Sequence, residues 1–169
     1  PDHVASFVTG LLWNPDLFES NLKGSAGHLE AYYDYMRRND TFACYTVLPP
    51  QGARQPELYQ REGLTVPTLR VTAEDKEGVT LNGMKMLGTS AVFANETWVG
   101  NLLPLGDDQA AESVTCAVPL NWPGVSIWAR KPFERFAQSE FDAPFAWRFD
   151  ETDSMVIFED VKVPWERVF

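Results

Sequence analysis

FACYTVLPPQGAR, residues 42–54, is the stretch on which the fold reading turns. Its first half is apolar, β-branched and aromatic, and reads as a buried strand. Pro49-Pro50 stops that strand, because neither proline can donate to a ladder. Gln51-Gly52-Ala53-Arg54 then makes a short exposed turn carrying an amide and a guanidinium. Polar donors on a loop held by a rigid strand end are a common way to present a binding site. The chain before this stretch reads as helical and most of the chain after it as strands. The fold class is therefore α+β, helices first and a β-domain second.

Toward the N-terminus, residues 4–12 are apolar almost throughout and predict a buried helix. Asn14-Pro15-Asp16 supplies a cap, a proline at the first helical position and an acid in the first turn of a short helix ending at Gly24. A longer helix starts near Ser25. Leu29, Tyr32, Tyr33 and Met36 share one of its faces, and Arg37 and Arg38 suit its C-terminal dipole. Asn39-Asp40 ends it. These helices cannot form a core alone and must pack on something else.

Toward the C-terminus, residues 56–61 predict one helical turn and 68–73 a half-buried strand, with a turn over 75–78. Asn82-Gly83 between two apolar runs predicts a tight hairpin turn. Further strands are expected over 97–103, 114–120, 125–130 and 154–159, the last extended by 161–163. Residues 106–112 and 150–153 read as acidic loops, and Pro164-Trp165-Glu166 as the first turn of a new helix. About seven short strands with turn punctuation predict an antiparallel sandwich or barrel.

The 169 residues suffice for one domain with a core, or one domain plus part of a neighbour. A hydrophobic content of 44% and a formal net charge of −10 describe a folded chain and argue against nucleic acid or an anionic membrane as partner. No apolar run is long enough for a membrane span, and no secretory leader is visible. Cys44 and Cys116 lie in strand-like runs and read as reduced core thiols of a cytoplasmic protein. The start at Pro1 and the end within a structural phrase suggest a fragment of a larger protein.

Motifs for dinucleotides, phosphate loops, zinc and nucleophile elbows are missing. Two histidines, His3 and His28, are too few for a histidine-based cluster, and His28 reads as a solvated or capping residue. What remains is polar residues at strand ends: Gln51 and Arg54 after the first strand, and Gly88-Thr89-Ser90 after the Asn-Gly segment. There a glycine permits close backbone approach and two hydroxyls can reach a ligand. Ordinary turn residues are the plain alternative for both clusters. Arg130, Lys131, Arg135 and Arg148 read as solvated or paired with acids.

Five stretches, PDHVASFVTG, YYDYMRRND, VLPPQGAR, LNGMKMLGTSAVFANE and RFDETDSMVIFEDVKVPWERVF, run in order from end to end of the chain. Together they resemble the 4-hydroxyphenylacetate 3-monooxygenase large-component family, which includes chlorophenol and nitrophenol monooxygenases. The resemblance implies an acyl-CoA dehydrogenase-type fold, with residues 1–40 ending an N-terminal helical domain, 41–163 forming the middle β-domain and 164–169 starting a C-terminal helical domain. It implies a two-component monooxygenase in which a separate reductase supplies reduced FAD or FMN. A C4a-hydroperoxide formed with O2 would then hydroxylate a phenolic substrate. It further implies Gln51, Arg54, Thr89 and Ser90 near the flavin, with Thr89 closest to the reactive ring, and a homo-oligomer, in this family a tetramer.

The hydroxyphenylacetate branch carries a substrate-binding tyrosine just after the Pro-Asp pair and a histidine base in the first β-strand. His3 takes the place of that tyrosine, and Cys44 or Tyr45 occupies the region of the base. His3 and Tyr45 are thus the expected substrate contacts, no catalytic base is assigned, and the particular phenol is left open. Two other classes stay open: an acyl-CoA dehydrogenase-like enzyme acting on a CoA thioester, and a non-catalytic β-module that would use the Tyr32–Tyr33–Met36 face, exposed, as its interface.

Overall fold

The computed structural model describes residues 3–20, 22–132, 135, 138–149 and 153–169. Pro1, Asp2 and most of the acidic turn expected at 150–153 lie outside them. Two helices open the chain, α1 (His3–Leu11) and α2 (Ser25–Asn39), joined through a 3₁₀ segment at Pro15–Ser20. The Glu19 carboxylate accepts hydrogen bonds from the backbone N–H groups of Gly24 and Ala26, satisfying donors that the start of α2 leaves free. Those two bonds hold Glu19 below the usual carboxylate range. Asp40 closes the helix in a left-handed conformation, its N–H bonded to Met36 O.

α1 is not buried all round. It buries Val4 and Val8, one turn apart, while most of its other side chains stay exposed or half-buried. On α2 the expected face is confirmed: Leu29, Tyr32 and Met36 are buried, and Tyr33 packs beside them. That face therefore cannot serve as the exposed interface of a free β-module. It packs with α1 against Ala43, Trp98 and Ala117 of the first sheet.

Seven strands follow among the described residues. β1 (Ala43–Thr46), β4 (Glu96–Val99) and β5 (Cys116–Pro119) form one sheet in the order β1-β4-β5. β2 (Arg70–Asp75), β3 (Gly78–Lys85), β6 (Val125–Ala129) and β7 (Ser154–Pro164) form the other, ordered β2-β3-β7-β6. The second sheet is antiparallel throughout, as expected, and in the first β4 and β5 pair antiparallel while β1 pairs parallel to β4. A parallel pair needs a long crossover, and the two strands β2 and β3 lie within it. Leu69, Leu81, Val99, Cys116, Val156 and Phe158 belong to the core between the sheets, each at most 1% exposed. Cys44 and Cys116 are free and buried, and burial pushes the Cys116 thiol up to about 12.

The Asn82-Gly83 pair is not a hairpin turn. β3 runs through it, and its register against β7 shifts between Leu81 and Gly83. Asn82 Nδ2 donates to Asp160 Oδ1 at 2.8 Å and to Thr72 Oγ1 at 2.9 Å, and Asn82 Oδ1 accepts from Asp160 N. Gly83, at φ 111°, passes so close to the Thr68 carbonyl that no Cβ would fit. The residue types that favour a tight turn here make a bulge. The hairpin turns instead at Lys76-Glu77, where Asp75 faces Gly78 and Asp75 Oδ1 accepts both Glu77 N and Gly78 N.

The last residues are tied down by a buried ion pair. Arg167 Nη1 donates to Glu96 Oε2 at 2.9 Å, with the Glu96 side chain 2% exposed. The guanidinium lies over the rings of Tyr35 and Trp122. The helical turn expected at Pro164-Trp165-Glu166 is a short 3₁₀ segment, Trp165–Arg167.

Candidate functional site

The polar clusters lie around one backbone pair. Met86 N donates to Leu48 O at 2.9 Å, an antiparallel bridge that joins the end of the first strand run to the end of β3. Because the pairing is antiparallel, the two chains leave it in opposite directions. Gly88 consequently turns back against Thr46, whose Cγ2 would stand 3.1 Å from a Cβ on the glycine. Gly88 N donates to Ser154 O at 2.9 Å.

The turn that follows is backbone-strained. Leu87 (φ 59°) and Ser90 (φ 62°) both sit in the left-handed region. Between them the half-buried Thr89 donates its hydroxyl proton to Asp153 Oδ1 at 2.7 Å. With that proton committed, the Thr89 oxygen faces other partners as an acceptor. Ser90 precedes the 3₁₀ turn Ala91–Phe93 without capping it.

Next to this turn is an open recess of about 320 Å³, bounded by Leu87, Trp128, Arg130, Asp153 and Met155 among others. Leu87, Trp128 and Met155 are all exposed there, and Trp128 offers a flat apolar face of the kind that takes an aromatic ring. Sequence reasoning missed Trp128 and Asp153. Neither sits in a motif, and Asp153 meets Thr89 only because β7 passes the end of β3.

On the other side of the Leu48–Met86 pair, Gln51–Arg54 forms a 3₁₀ turn. Gln51 is exposed, and the Tyr59 hydroxyl packs over Gly52, where a Cβ would have to displace it. The backbone of Arg54 belongs to this turn; its side chain lies outside the described residues. The structure thus attaches Gln51–Arg54 and Thr89–Ser90 to one bridge without clustering them.

His3 and Tyr45 do come together. Their ring centroids are 5.2 Å apart, and Phe7 packs edge-on to both His3 and Tyr45. Phe7 continues to Trp98, which stacks on Phe169 at 4.8 Å. His28 does not cap its helix: its Nδ1 faces Val168 O at 3.3 Å, against the end of the chain. Of the basic set, Arg148 pairs with Glu140, Arg130 donates to Lys131 O, and Arg135 is exposed. Among the described residues no group of acids, histidines and cysteines could hold a metal ion, and no helix is long and apolar enough to cross a membrane.

A family model described as 4-hydroxyphenylacetate 3-hydroxylase, N terminal, matches residues 1–169. The chain is 32% identical to the 4-hydroxyphenylacetate 3-monooxygenase oxygenase component of Geobacillus sp. (strain PA-9), over all of this chain and 34% of the relative. Among solved structures, the oxygenase component of 4-hydroxyphenylacetate 3-monooxygenase complexed with FAD and 4-hydroxyphenylacetate superposes with a TM-score of 0.78. It is 29% identical and covers 100% of this chain and 34% of its own. A probable acyl-CoA dehydrogenase from Mycobacterium abscessus, 19% identical over 86% of this chain and 32% of its own, shares the fold with a TM-score of 0.53. The chain therefore spans about a third of the length of these relatives.

Proposed function

The chain belongs to the 4-hydroxyphenylacetate 3-hydroxylase N-terminal family, and on that premise we propose that it is part of the oxygenase component of a two-component flavin-dependent monooxygenase. The whole oxygenase would hydroxylate a phenolic ring, using reduced FAD or FMN from a separate reductase. The end-to-end match to a relative that is named as an oxygenase component carries this reading. Residues 1–40 are the end of an N-terminal helical domain, 41–163 the middle β-domain and 164–169 the start of a C-terminal helical domain. The enzyme is a cytoplasmic homo-oligomer, in keeping with the family a tetramer.

Thr89 and Ser90 would meet the flavin ring, and Gln51 and Arg54 the remainder of the cofactor. The fit is supported by the recess beside Thr89, where an exposed tryptophan and two aliphatic side chains give a flat ring an apolar seat. The strained turn at Leu87–Ser90 adjoins the recess through Leu87, and Thr89 bonds to Asp153 on its lining. Bound there, reduced flavin supplies the activation of O2 that delivers one oxygen atom to the phenol. The chain's own part is to orient and to keep dry. Asp153 holds the Thr89 hydroxyl proton, so that the Thr89 oxygen would be free to accept from a cofactor N–H. His3 and Tyr45, in tilted ring contact, would form an aromatic wall with polar tips suited to a phenol ring.

The test uses the full-length protein with anaerobically supplied reduced flavin, then oxygenated buffer and a panel of phenols. We expect a hydroxylated product from at least one phenol, and a Thr89→Val variant that forms it at least tenfold more slowly. Reduction of bound oxidised flavin by an acyl-CoA, with no phenol hydroxylated, would replace this reading by a dehydrogenase.

A further inference from the structure

The far side of the Leu48–Met86 bridge holds a second cavity, which shares no lining residue with the recess beside Thr89. Its volume is about 490 Å³, within the range of small-molecule sites. Lys85, at the end of β3, lines it and is 1% exposed. Its ammonium carries three N–H donors, and the bond recorded among the described residues is a single one, to Asn101 Oδ1 at 2.7 Å. None of the ion pairs among those residues includes it. Glu112 contributes field, but its carboxylate accepts from Gln109 Nε2. Desolvation pushes Lys85 down to about 8 in spite of that field.

Thr68, 2% exposed, lines the same cavity, and its hydroxyl has no hydrogen-bond partner. A buried cation with spare donors and a buried hydroxyl with none satisfied are both costly unless something pairs them. Part of the wall is apolar, with Val47, Pro49, Leu103 and Pro104 among it.

We propose that this cavity binds a small monocarboxylate with an apolar body, its oxygens engaging the Lys85 ammonium and the Thr68 hydroxyl and its body lying on the proline, valine and leucine walls. One ammonium matches one negative charge. Asp108 and Glu112, also on the lining, oppose a dianion such as phosphate more strongly than a monoanion. The site stands apart from the flavin reading and does not rest on it.

Benzoate titrated calorimetrically into the full-length protein is the test, with inorganic phosphate alongside. We expect benzoate to bind, roughly tenfold more weakly in Lys85→Met and several-fold more weakly in Thr68→Val, with no heat from phosphate. Thr68→Val preserves volume, and protection of Lys85 from reductive methylation by benzoate, read by mass spectrometry, needs no variant at all. Absence of benzoate binding overturns the proposal, as does an affinity that neither variant changes or phosphate binding of equal strength. Displacement of benzoate by FAD also overturns it, since the cavity would then belong to the cofactor's site.

Discussion

Two cations, the half-buried Arg167 and the buried Lys85, are treated differently by the molecule. Arg167 meets the Glu96 carboxylate directly and lies over two aromatic rings. Lys85, more deeply buried, has an amide oxygen. In the first case the charge is neutralised within the described chain; in the second it is only solvated by a dipole. A buried pair of the first kind holds an architecture together once it exists. A buried charge of the second kind lowers stability and stays useful only where something binds to it. The difference separates a structural cation from a binding one.

The largest effect expected from this contrast is at Arg167. Arg167→Met leaves Glu96 buried and uncompensated, and should cost about 3–5 kcal/mol, read as a lowered denaturation midpoint at unchanged m-value. A loss under about 1 kcal/mol would erase the distinction. At Lys85 the sign reverses. The folded-state value near 8 lies below the 10.5 of the free side chain. Below pH 8 both states are therefore charged and the folded state bears the full penalty, about 3 kcal/mol. Between pH 8 and 10.5 the folded chain releases its proton first and the penalty fades. After subtracting about 1 kcal/mol for the bond to Asn101, Lys85→Met should stabilise the ligand-free protein by about 2 kcal/mol at pH 7. That gain should vanish as pH rises through 10.5, and a pH series of denaturant melts checks both parts. The smallest effect marks the exposed extreme: Arg38 and Asp34 pair one helical turn apart with both side chains in solvent. Asp34→Asn should change stability by less than about 0.5 kcal/mol.

The same contrast shows what was legible in the sequence. The α2 face and the strand of residues 154–163 could be read because helix and strand periodicity are local. So could the α+β order, which turns on Pro49-Pro50 ending a strand that follows helices. Asn82-Gly83 could not, since turn and bulge draw on the same residues and only the partner strand, through Asp160, decides between them. Arg167 was visible as a residue near a turn, but Glu96 lies far back in the chain and nothing near either residue announces the other. Lys85 reads as an ordinary strand lysine until two loops close over it. At the candidate site, local chemistry marked Thr89 and Gln51 as polar groups at strand ends. The ring contact of His3 with Tyr45 and the hold of Asp153 on Thr89 came from tertiary packing alone.

The parallel pairing of β1 with β4 has a topological consequence. From β1 the chain crosses to the other sheet for β2 and β3, returns for β4 and β5, and crosses again for β6 and β7. The two layers are interleaved along the chain like the leaves of two shuffled decks, and no single cut separates them into self-sufficient halves. Each sheet is completed only by chain that has crossed through the other sheet. Neither layer is therefore one continuous piece of chain, and the turns at Gln51 and Thr89 both lie on crossovers between the two layers.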